Sequence, residues 1–114
     1  MNATMSEIDQ ELGAALTTTA GIISLLDSMR EREAYRELAG LMETISAIFM
    51  MYCEHPDWAL PESFERTLSL LVNAQESRSW LLLADILRYE VTPLLQDWSK
   101  EFRNRADETA RSHS

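Results

Sequence analysis

One short segment of the sequence groups the side-chain types that bind metals or activate nucleophiles. Cys53, Glu54 and His55 are consecutive, and Asp57 lies two positions further on. Zinc sites take three or four Cys, His or carboxylate ligands, and the only other histidine in the chain is His113. A Ser–His–Asp triad would depend on the same isolated histidine, and no glycine-rich phosphate loop accompanies it. We therefore expect no catalytic residue, no metal and no cofactor.

A second group of polar residues lies just before a proline. Asp85, Tyr89 and Glu90 belong to a segment with helical spacing. Pro93 removes the hydrogen bond to the Tyr89 carbonyl and is expected to kink the helix. Acids beside a kink can form a polar pocket, so an enzyme or a small-ligand-binding bundle is the alternative function. In the simpler interpretation the acids form ion pairs, with Glu90 facing inward toward an arginine.

The end of the second predicted helix is the main candidate for a binding surface. Residues 48–52 are apolar around the whole helix, and two adjacent faces cannot both enter the core of a four-helix bundle. Methionine and aromatic side chains dominate adaptable protein-binding surfaces. The residues predicted to bind a partner are Phe49, Met50, Met51, Tyr52 and Trp58. In the competing interpretation, Trp58 and Leu60 fold back from the following loop and cover this patch.

Apolar positions at helical spacing define the elements that carry these residues. The first helix is predicted from Ser6 to Met29 or Arg30, and the second helix has an apolar stripe of a different phase. The first stripe consists of Ile8, Leu12, Ala15, Thr19, Ile22, Leu26 and Met29. The second consists of Tyr35, Leu38, Met42, Ile45, Phe49 and Tyr52. The polar run 30–33 predicts a hairpin, while a single bent helix is the alternative because the run lacks Gly and Pro.

Prolines divide the chain into two halves. Pro56 and Pro61 bound a loop, 55–61, since each proline disfavours helical geometry in the residue before it. A third helix is predicted to begin at Pro61 and to end near Gln75, and a fourth runs from near Ser79 to Phe102. The single domain, 1–105, thus comprises hairpin 6–54, the loop and hairpin 62–105, with a flexible tail over 106–114. This predicts an all-α, up-down four-helix bundle, closed within one chain or across a dimer.

The two predicted hairpins are similar when they are aligned at an offset of 45 residues. Tyr35 then aligns with Trp80, and Leu38 with Leu83. Each copy contains a helix end, a polar turn, an aromatic residue and a Leu-Ala step. This similarity favours a common hairpin design.

The composition limits the partners that such a bundle can bind. The 114-residue chain has 19 acidic and 10 basic residues, a net charge of −9, and 46% apolar residues. Nucleic acids and anionic membranes bind basic surfaces, so neither is expected as a partner. The first 57 residues carry ten acids and three bases, which either keep the surface solvated or attract a basic partner helix.

The cysteine count, the N-terminal residues and the lengths of the apolar runs indicate the cellular compartment of the protein. The chain has one Cys, no basic leader and no apolar run of about 20 residues. We therefore expect a cytoplasmic, bacterial protein that binds a partner helix or forms a homodimer.

Two segments resemble known groups of small helical proteins. The pattern from Leu26 through Tyr35 to Leu38 is similar to the helix–turn–aromatic–helix segment of small acidic chaperones such as bacterial flagellar export chaperones. The run LADILRYE at 83–90, followed by PLL at 93–95 and by Trp98, resembles small uncharacterised helical proteins of Gram-positive bacteria. These resemblances imply a non-enzymatic, chaperone-like or adaptor-like role and transfer no functional residue.

Overall fold

The computed structural model of the chain describes residues 3–55 and 57–112, and these ranges contain helices and no strand. The helices are α1 (Ala3–Asp27), α2 (Glu31–Cys53), α3 (Phe64–Ser77), α4 (Trp80–Ile86) and α5 (Thr92–Ser112), with a π-helical turn (Leu87–Val91) joining α4 to α5. Because α4, the π turn and α5 follow one another without a gap, they form one continuous fourth rod. The predicted all-α four-helix bundle is thus confirmed.

The predicted apolar stripe of α1 forms the centre of the bundle. Its members from Ile8 to Leu26 are fully buried, and the Thr19 hydroxyl among them donates a hydrogen bond to the Ala15 carbonyl at 2.7 Å. α1 begins at Ala3, earlier than the predicted Ser6, and packs against α2, α4, the π turn and α5. Full burial of one such aliphatic side chain contributes about 1.5–3 kcal/mol, so this stripe holds the bundle together.

A tight turn joins α1 to α2, which confirms the hairpin and shows that the single bent helix was wrong. Met29 adopts the left-handed conformation with φ 62°. The Arg30 N–H donates to the Leu25 carbonyl at 2.8 Å, and the Met29 N–H donates to the Leu26 carbonyl at 3.1 Å. These two bonds define a Schellman motif, in which the left-handed position is usually glycine. Met29 is therefore 63% exposed and does not continue the α1 stripe.

α2 turns a slightly different face toward the core than the sequence predicts. Its buried residues are Ala34, Leu38, Leu41, Ile45, Ile48 and Tyr52. Tyr35 and Met42 are only half-buried, and Phe49 is 37% exposed. These three residues lie seven positions apart and form one edge of the stripe. α2 packs closely on α1 and not on α3, so this edge stays open.

The second hairpin begins later than predicted and turns where predicted. The Phe64 N–H donates to the Pro61 carbonyl at 3.0 Å, so Pro61 opens a turn and α3 begins at Phe64. Arg78 follows α3 in the left-handed conformation with φ 57°. The fourth rod begins near Ser79, as predicted, and the Ser79 hydroxyl caps α4 by accepting a hydrogen bond from the Leu82 N–H at 3.3 Å.

The fourth rod accommodates Pro93 through the π turn. The Thr92 N–H donates to the Leu87 carbonyl, five residues earlier, and the Thr92 hydroxyl donates to the same oxygen at 2.8 Å. A proline has no N–H, and its ring clashes with the carbonyl four residues before it, here that of Tyr89. A π turn is wider than an α-helical turn, so it gives the ring room before α5 continues.

The π turn also keeps the two hairpins in the same register. The left-handed residues Met29 and Arg78 are 49 positions apart, so the hairpins align at an offset of 49 and not at the predicted 45. From Val91, the last residue of the π turn, the buried positions align at an offset of 50. The pairs at an offset of 49 are Ala34–Leu83 and Leu38–Leu87, and the pairs at an offset of 50 are Leu41–Val91, Ile45–Leu95, Ile48–Trp98 and Tyr52–Phe102. The π turn therefore absorbs one additional residue.

α5 extends beyond the predicted domain end at residue 105 and remains helical as far as Ser112. Ala106 is buried one helical turn after Phe102. The apolar stripe therefore continues beyond its predicted end at Phe102. The predicted tail over 106–114 is thus helical within the described residues, and His113 and Ser114 lie outside them. The bundle measures 51 × 21 × 19 Å. Its upper end carries the two tight turns, and its lower end carries the loop between α2 and α3.

Candidate functional site

Seven rings form an aromatic cluster at the lower end of the bundle. They are Phe49, Tyr52, His55, Trp58, Phe64, Trp98 and Phe102. Trp58 folds back from the loop onto His55, with ring centroids 3.9 Å apart, and onto Phe102, at 5.8 Å. Trp58 thereby anchors the loop to α5, and Leu60 also packs on the core.

Tyr52 and Trp98 lie inside this cluster, 1% and 0% exposed, with ring centroids 5.5 Å apart. Neither the Tyr52 hydroxyl nor the Trp98 indole nitrogen forms a hydrogen bond among the described residues. Burial raises the pKa of Tyr52 above its ordinary value of 10.0, and the nearby Glu101 carboxylate adds to the rise. The positive charge of Arg105 opposes that increase in the pKa. The phenol is therefore a neutral core group at physiological pH.

An apolar groove of about 260 Å³ runs between α2 and α3 above the aromatic cluster. We call it the α2–α3 groove, and its lining residues are Met42, Ile45, Ser46, Phe49, Met50, Phe64, Leu68 and Val72. Met50 is 70% exposed, and Val72 on the opposite wall is 37% exposed. Ser46 is the only polar side chain in the lining, so the groove presents apolar surface to solvent.

The structure separates the five residues that the sequence predicts to bind a partner. Phe49 and Met50 line the α2–α3 groove. Met51 and Trp58 are half-buried and pack on the core, and Tyr52 is buried. Trp58 folds back onto Tyr52, with ring centroids 5.2 Å apart, but its ring contacts are with Tyr52, His55 and Phe102, none of which lines the groove.

The residues that the sequence analysis missed lie across the groove on α3. Leu68 and Val72 are one helical turn apart and complete the wall opposite Met50. Their spacing is visible in the sequence, where they lie in an apolar stretch from 68 to 72. That stretch does not reveal which of its positions face α2.

Exposed acids lie beside the apolar walls. They are Glu43 and Glu54 on or directly after α2, and Glu65 and Glu76 on α3. None of the four forms an ion pair with another described residue. Glu43 follows Met42, and Glu65 follows Phe64, so each is rotated about 100° from a lining residue toward solvent. Glu43 and Glu76 thus lie toward the upper end of the groove and Glu54 and Glu65 toward its lower end, so negative charge flanks the apolar walls.

Arginines surround a different pocket at the upper end of the same two helices. This pocket, of about 560 Å³, is lined by Glu31, Arg32, Tyr35, Arg36, Gln75 and Arg78. The Arg78 guanidinium lies over the Tyr35 ring, with its carbon 5.7 Å from the ring centroid. Burial raises the pKa of Tyr35 above 10.0, the positive charge of Arg78 opposes this rise, and Glu31 adds to it. We call this site the arginine pocket.

The residues of the predicted polar pocket near Pro93 do not enclose a space together. Tyr89 is 68% exposed, and Asp85 is also exposed. Glu90 is half-buried and pairs with Arg66 of α3 at 3.0 Å, which confirms the prediction that it pairs with an arginine. Asp85 and Tyr89 therefore lie exposed on the helix surface, whereas the Glu90–Arg66 pair ties the π turn to α3.

The side chains around Cys53 and His55 do not enclose a site either. Cys53 is exposed, and the His55 ring stacks on Trp58. Within residues 3–55 and 57–112, no three His, Cys, Asp or Glu side chains are grouped so that they could hold a metal ion. In the same part of the chain, no helix is both long and apolar enough to span a membrane.

Comparison with known proteins gives one match. The model of a family described as Domain of unknown function (DUF8042) matches residues 3–101, which covers the four helical rods from α1 to the middle of α5. No curated protein and no solved structure matches the chain. Since the matched region is most of the sequence and contains both hairpins, the chain belongs to the family DUF8042.

Proposed function

We propose that this protein is a non-enzymatic binding module that holds an amphipathic helix of a partner protein in the α2–α3 groove. The observation that carries the proposal is an open, apolar groove between two helices that do not pack closely on each other. Exposed apolar surface rimmed by polar residues is typical of protein–protein interaction sites and ligand-binding grooves. A helix laid between α2 and α3 would shield Met50 and Val72 from water.

The length of the groove suits a helix. On α2 the lining runs from Met42 to Met50, which is about 12 Å because an α-helix rises 1.5 Å per residue. A partner helix would fill that length with about two turns, with apolar residues at i, i+3, i+4 and i+7.

The chemistry of the lining favours a protein partner. Methionine is flexible and polarizable, so Met42 and Met50 can adjust to the side chains of a bound helix. The Phe49 and Phe64 rings supply a rigid aromatic anchor at the lower end, with their centroids 5.6 Å apart.

The charges beside the groove favour a partner helix with basic flanks. Glu43, Glu54, Glu65 and Glu76 are exposed and form no ion pair with another described residue. Lys and Arg on either side of an apolar stripe would pair with these acids and speed the encounter with a protein of net charge −9. This arrangement matches the role of a small chaperone or adaptor.

The test uses a fluorescent 18-residue helical peptide with a Leu stripe and Lys flanks. We expect micromolar binding to the full chain, and at least a tenfold loss of affinity in the Met50→Asp and Val72→Asp variants. The matched control is Leu81→Asp, which places the same charge on α4 at a residue that is 62% exposed. This control should bind like the wild type.

Three outcomes would contradict the proposal. The first is equal loss of affinity in Leu81→Asp and Met50→Asp, which would indicate nonspecific charge effects. The second is equal binding of a peptide with Glu in place of Lys. The third is a wild-type dimer, measured by light scattering, that Met50→Asp converts to a monomer, because the groove would then be filled by a second copy of the chain.

A further inference from the structure

We propose that the arginine pocket is a binding site for a phosphate group, independent of the α2–α3 groove. The two sites share no lining residue, although α2 and α3 contribute to both. The proposal concerns a small phosphate-bearing ligand and does not depend on the partner helix.

The arginine pocket is distinguished by arginines that form no ion pair with a described residue. The arginines that pair with a carboxylate are Arg30, Arg66, Arg88, Arg103 and Arg105. Among the arginines with described side chains, the three without an ion pair are Arg32, Arg36 and Arg78, and all three line the arginine pocket. In a chain with an excess of nine acids, three unpaired guanidinium groups around one pocket form a localised positive site.

Two further features of the pocket favour an anion. α2 begins at this pocket, and its N-cap residue, Arg30, provides no side-chain hydrogen bond to the first turn. The first-turn amides therefore lack a side-chain cap from Arg30 and add to the positive potential of the helix N-terminus, against the carboxylates of Glu31 and Glu33 in the same turn. Tyr35 lines the pocket, and its hydroxyl is buried without a hydrogen-bond partner among the described residues, so a ligand that reached this hydroxyl would gain a donor.

The balance of charges suits a phosphate better than a carboxylate. The three guanidinium groups carry three positive charges against the one carboxylate of Glu31, which leaves a local excess of two. A phosphate monoester carries a charge of about −1.5 to −2 at neutral pH and three acceptor oxygens. Planar guanidinium groups donate paired hydrogen bonds to such oxygens. At about 560 Å³ the pocket also has room for the organic part of a small phosphate ester.

The test is a titration followed by ¹H–¹⁵N NMR at pH 7.5 and constant ionic strength, with inorganic phosphate, glycerol 3-phosphate and acetate as probes. We expect saturable shifts for either phosphate probe at the first turn of α2, at Gln75 and at Arg78, with acetate binding at least tenfold more weakly. If glycerol 3-phosphate binds more tightly than inorganic phosphate, the natural ligand is a phosphate ester. If the two probes bind equally, the ligand is free phosphate. Either result supports the site.

Matched variants separate specific binding from general charge effects. Arg36→Gln and Arg78→Gln should each weaken phosphate binding about tenfold, in line with the loss of a charged hydrogen bond. Arg103→Gln changes the net charge equally but removes an arginine that pairs with Asp9, so its phosphate affinity should be unchanged. Shifts that do not saturate, equal binding of acetate, or equal weakening in Arg103→Gln would overturn the proposal. Circular dichroism of each variant verifies that the helices remain folded.

Discussion

The Phe49 and Phe64 rings stack with their centroids 5.6 Å apart and only 10° between their planes. This contact joins α2 to α3 at the lower end of the bundle, where the α2–α3 groove ends. Phe64 in turn meets the edge of Trp98 at 5.2 Å, so the stack connects the groove to the core of the fourth rod. A ligand in the groove would therefore lie directly against a rigid part of the molecule.

The two rings of this stack should differ in their effect on stability. Phe64 is 5% exposed and Phe49 is 37% exposed. We expect Phe64→Ala to lower the free energy of unfolding by about 3–5 kcal/mol, because it leaves a cavity beside Trp98. Phe49→Ala should cost about 1 kcal/mol, since much of its surface is already in water. Urea unfolding followed by circular dichroism measures both values, and equal losses would contradict this account of the stack.

The buried hydroxyl of Tyr52 should make stability depend on pH at the alkaline end. Burial raises the pKa of Tyr52 in the folded state above the ordinary value of 10.0. The unfolded chain therefore loses this proton first, so the full stability is present below about pH 10 and falls as the pH rises toward the folded pKa. The Tyr52→Phe variant should lose less stability than the wild type between pH 9 and pH 11.

Tyr52→Phe should also be tolerated at neutral pH. Its hydroxyl has no hydrogen-bond partner among the described residues, so the variant removes a polar group whose burial is unfavourable. We expect the free energy of unfolding at pH 7 to stay equal or to rise by up to about 1 kcal/mol. A loss of more than 1 kcal/mol would show that the hydroxyl forms a stabilising interaction.

The turn after α1 should be stabilised by glycine. Met29 holds a left-handed conformation, φ 62°, and its side chain is 63% exposed. Glycine adopts this conformation without steric cost, so Met29→Gly should raise the free energy of unfolding by about 0.5–1 kcal/mol. Thermal unfolding measures the change. The control Ser28→Gly, at the position before it, should give no gain.

Much of the fold follows from local patterns in the sequence. The α1 stripe was correctly predicted from Ile8 to Leu26 because α1 packs against several elements and buries a wide face. The start of the fourth rod near Ser79 was predicted because the helical spacing of the apolar residues after it is a local pattern. The α1–α2 turn was less certain, since its left-handed residue is Met29 and not glycine.

The candidate sites depend on the order in which the helices pack, which local patterns do not reveal. Phe49 and Met50 were identified because an apolar surplus is visible in one segment. The opposite wall, with Leu68 and Val72, was missed because nothing in the sequence places α3 beside that edge of α2. The arginine pocket was missed for the same reason, since Arg36 and Arg78 are brought together only by the antiparallel packing of the two hairpins.

The π turn offers the sharpest test of how the sequence encodes the fourth rod. The buried positions of α2 and the fourth rod align at an offset of 49 up to Leu87, where this turn begins, and at 50 from Val91, where it ends. Deleting the exposed Tyr89 would remove the additional residue and leave every buried position in register. The deletion alone should still lower the free energy of unfolding by about 3 kcal/mol, because Pro93 would then interrupt a regular α-helix.

Adding Pro93→Ala to the Tyr89 deletion should restore the free energy of unfolding to within about 1 kcal/mol of the wild type, because the helix regains an N–H donor and loses the clash. Deleting Lys100 is the control: it lies in regular α5, where each lost residue rotates the following side chains by about 100° and moves Phe102 out of the core. That deletion should cost more than about 3 kcal/mol, and Pro93→Ala should not rescue it. If both deletions respond alike to Pro93→Ala, the π turn is not the element that accommodates the additional residue.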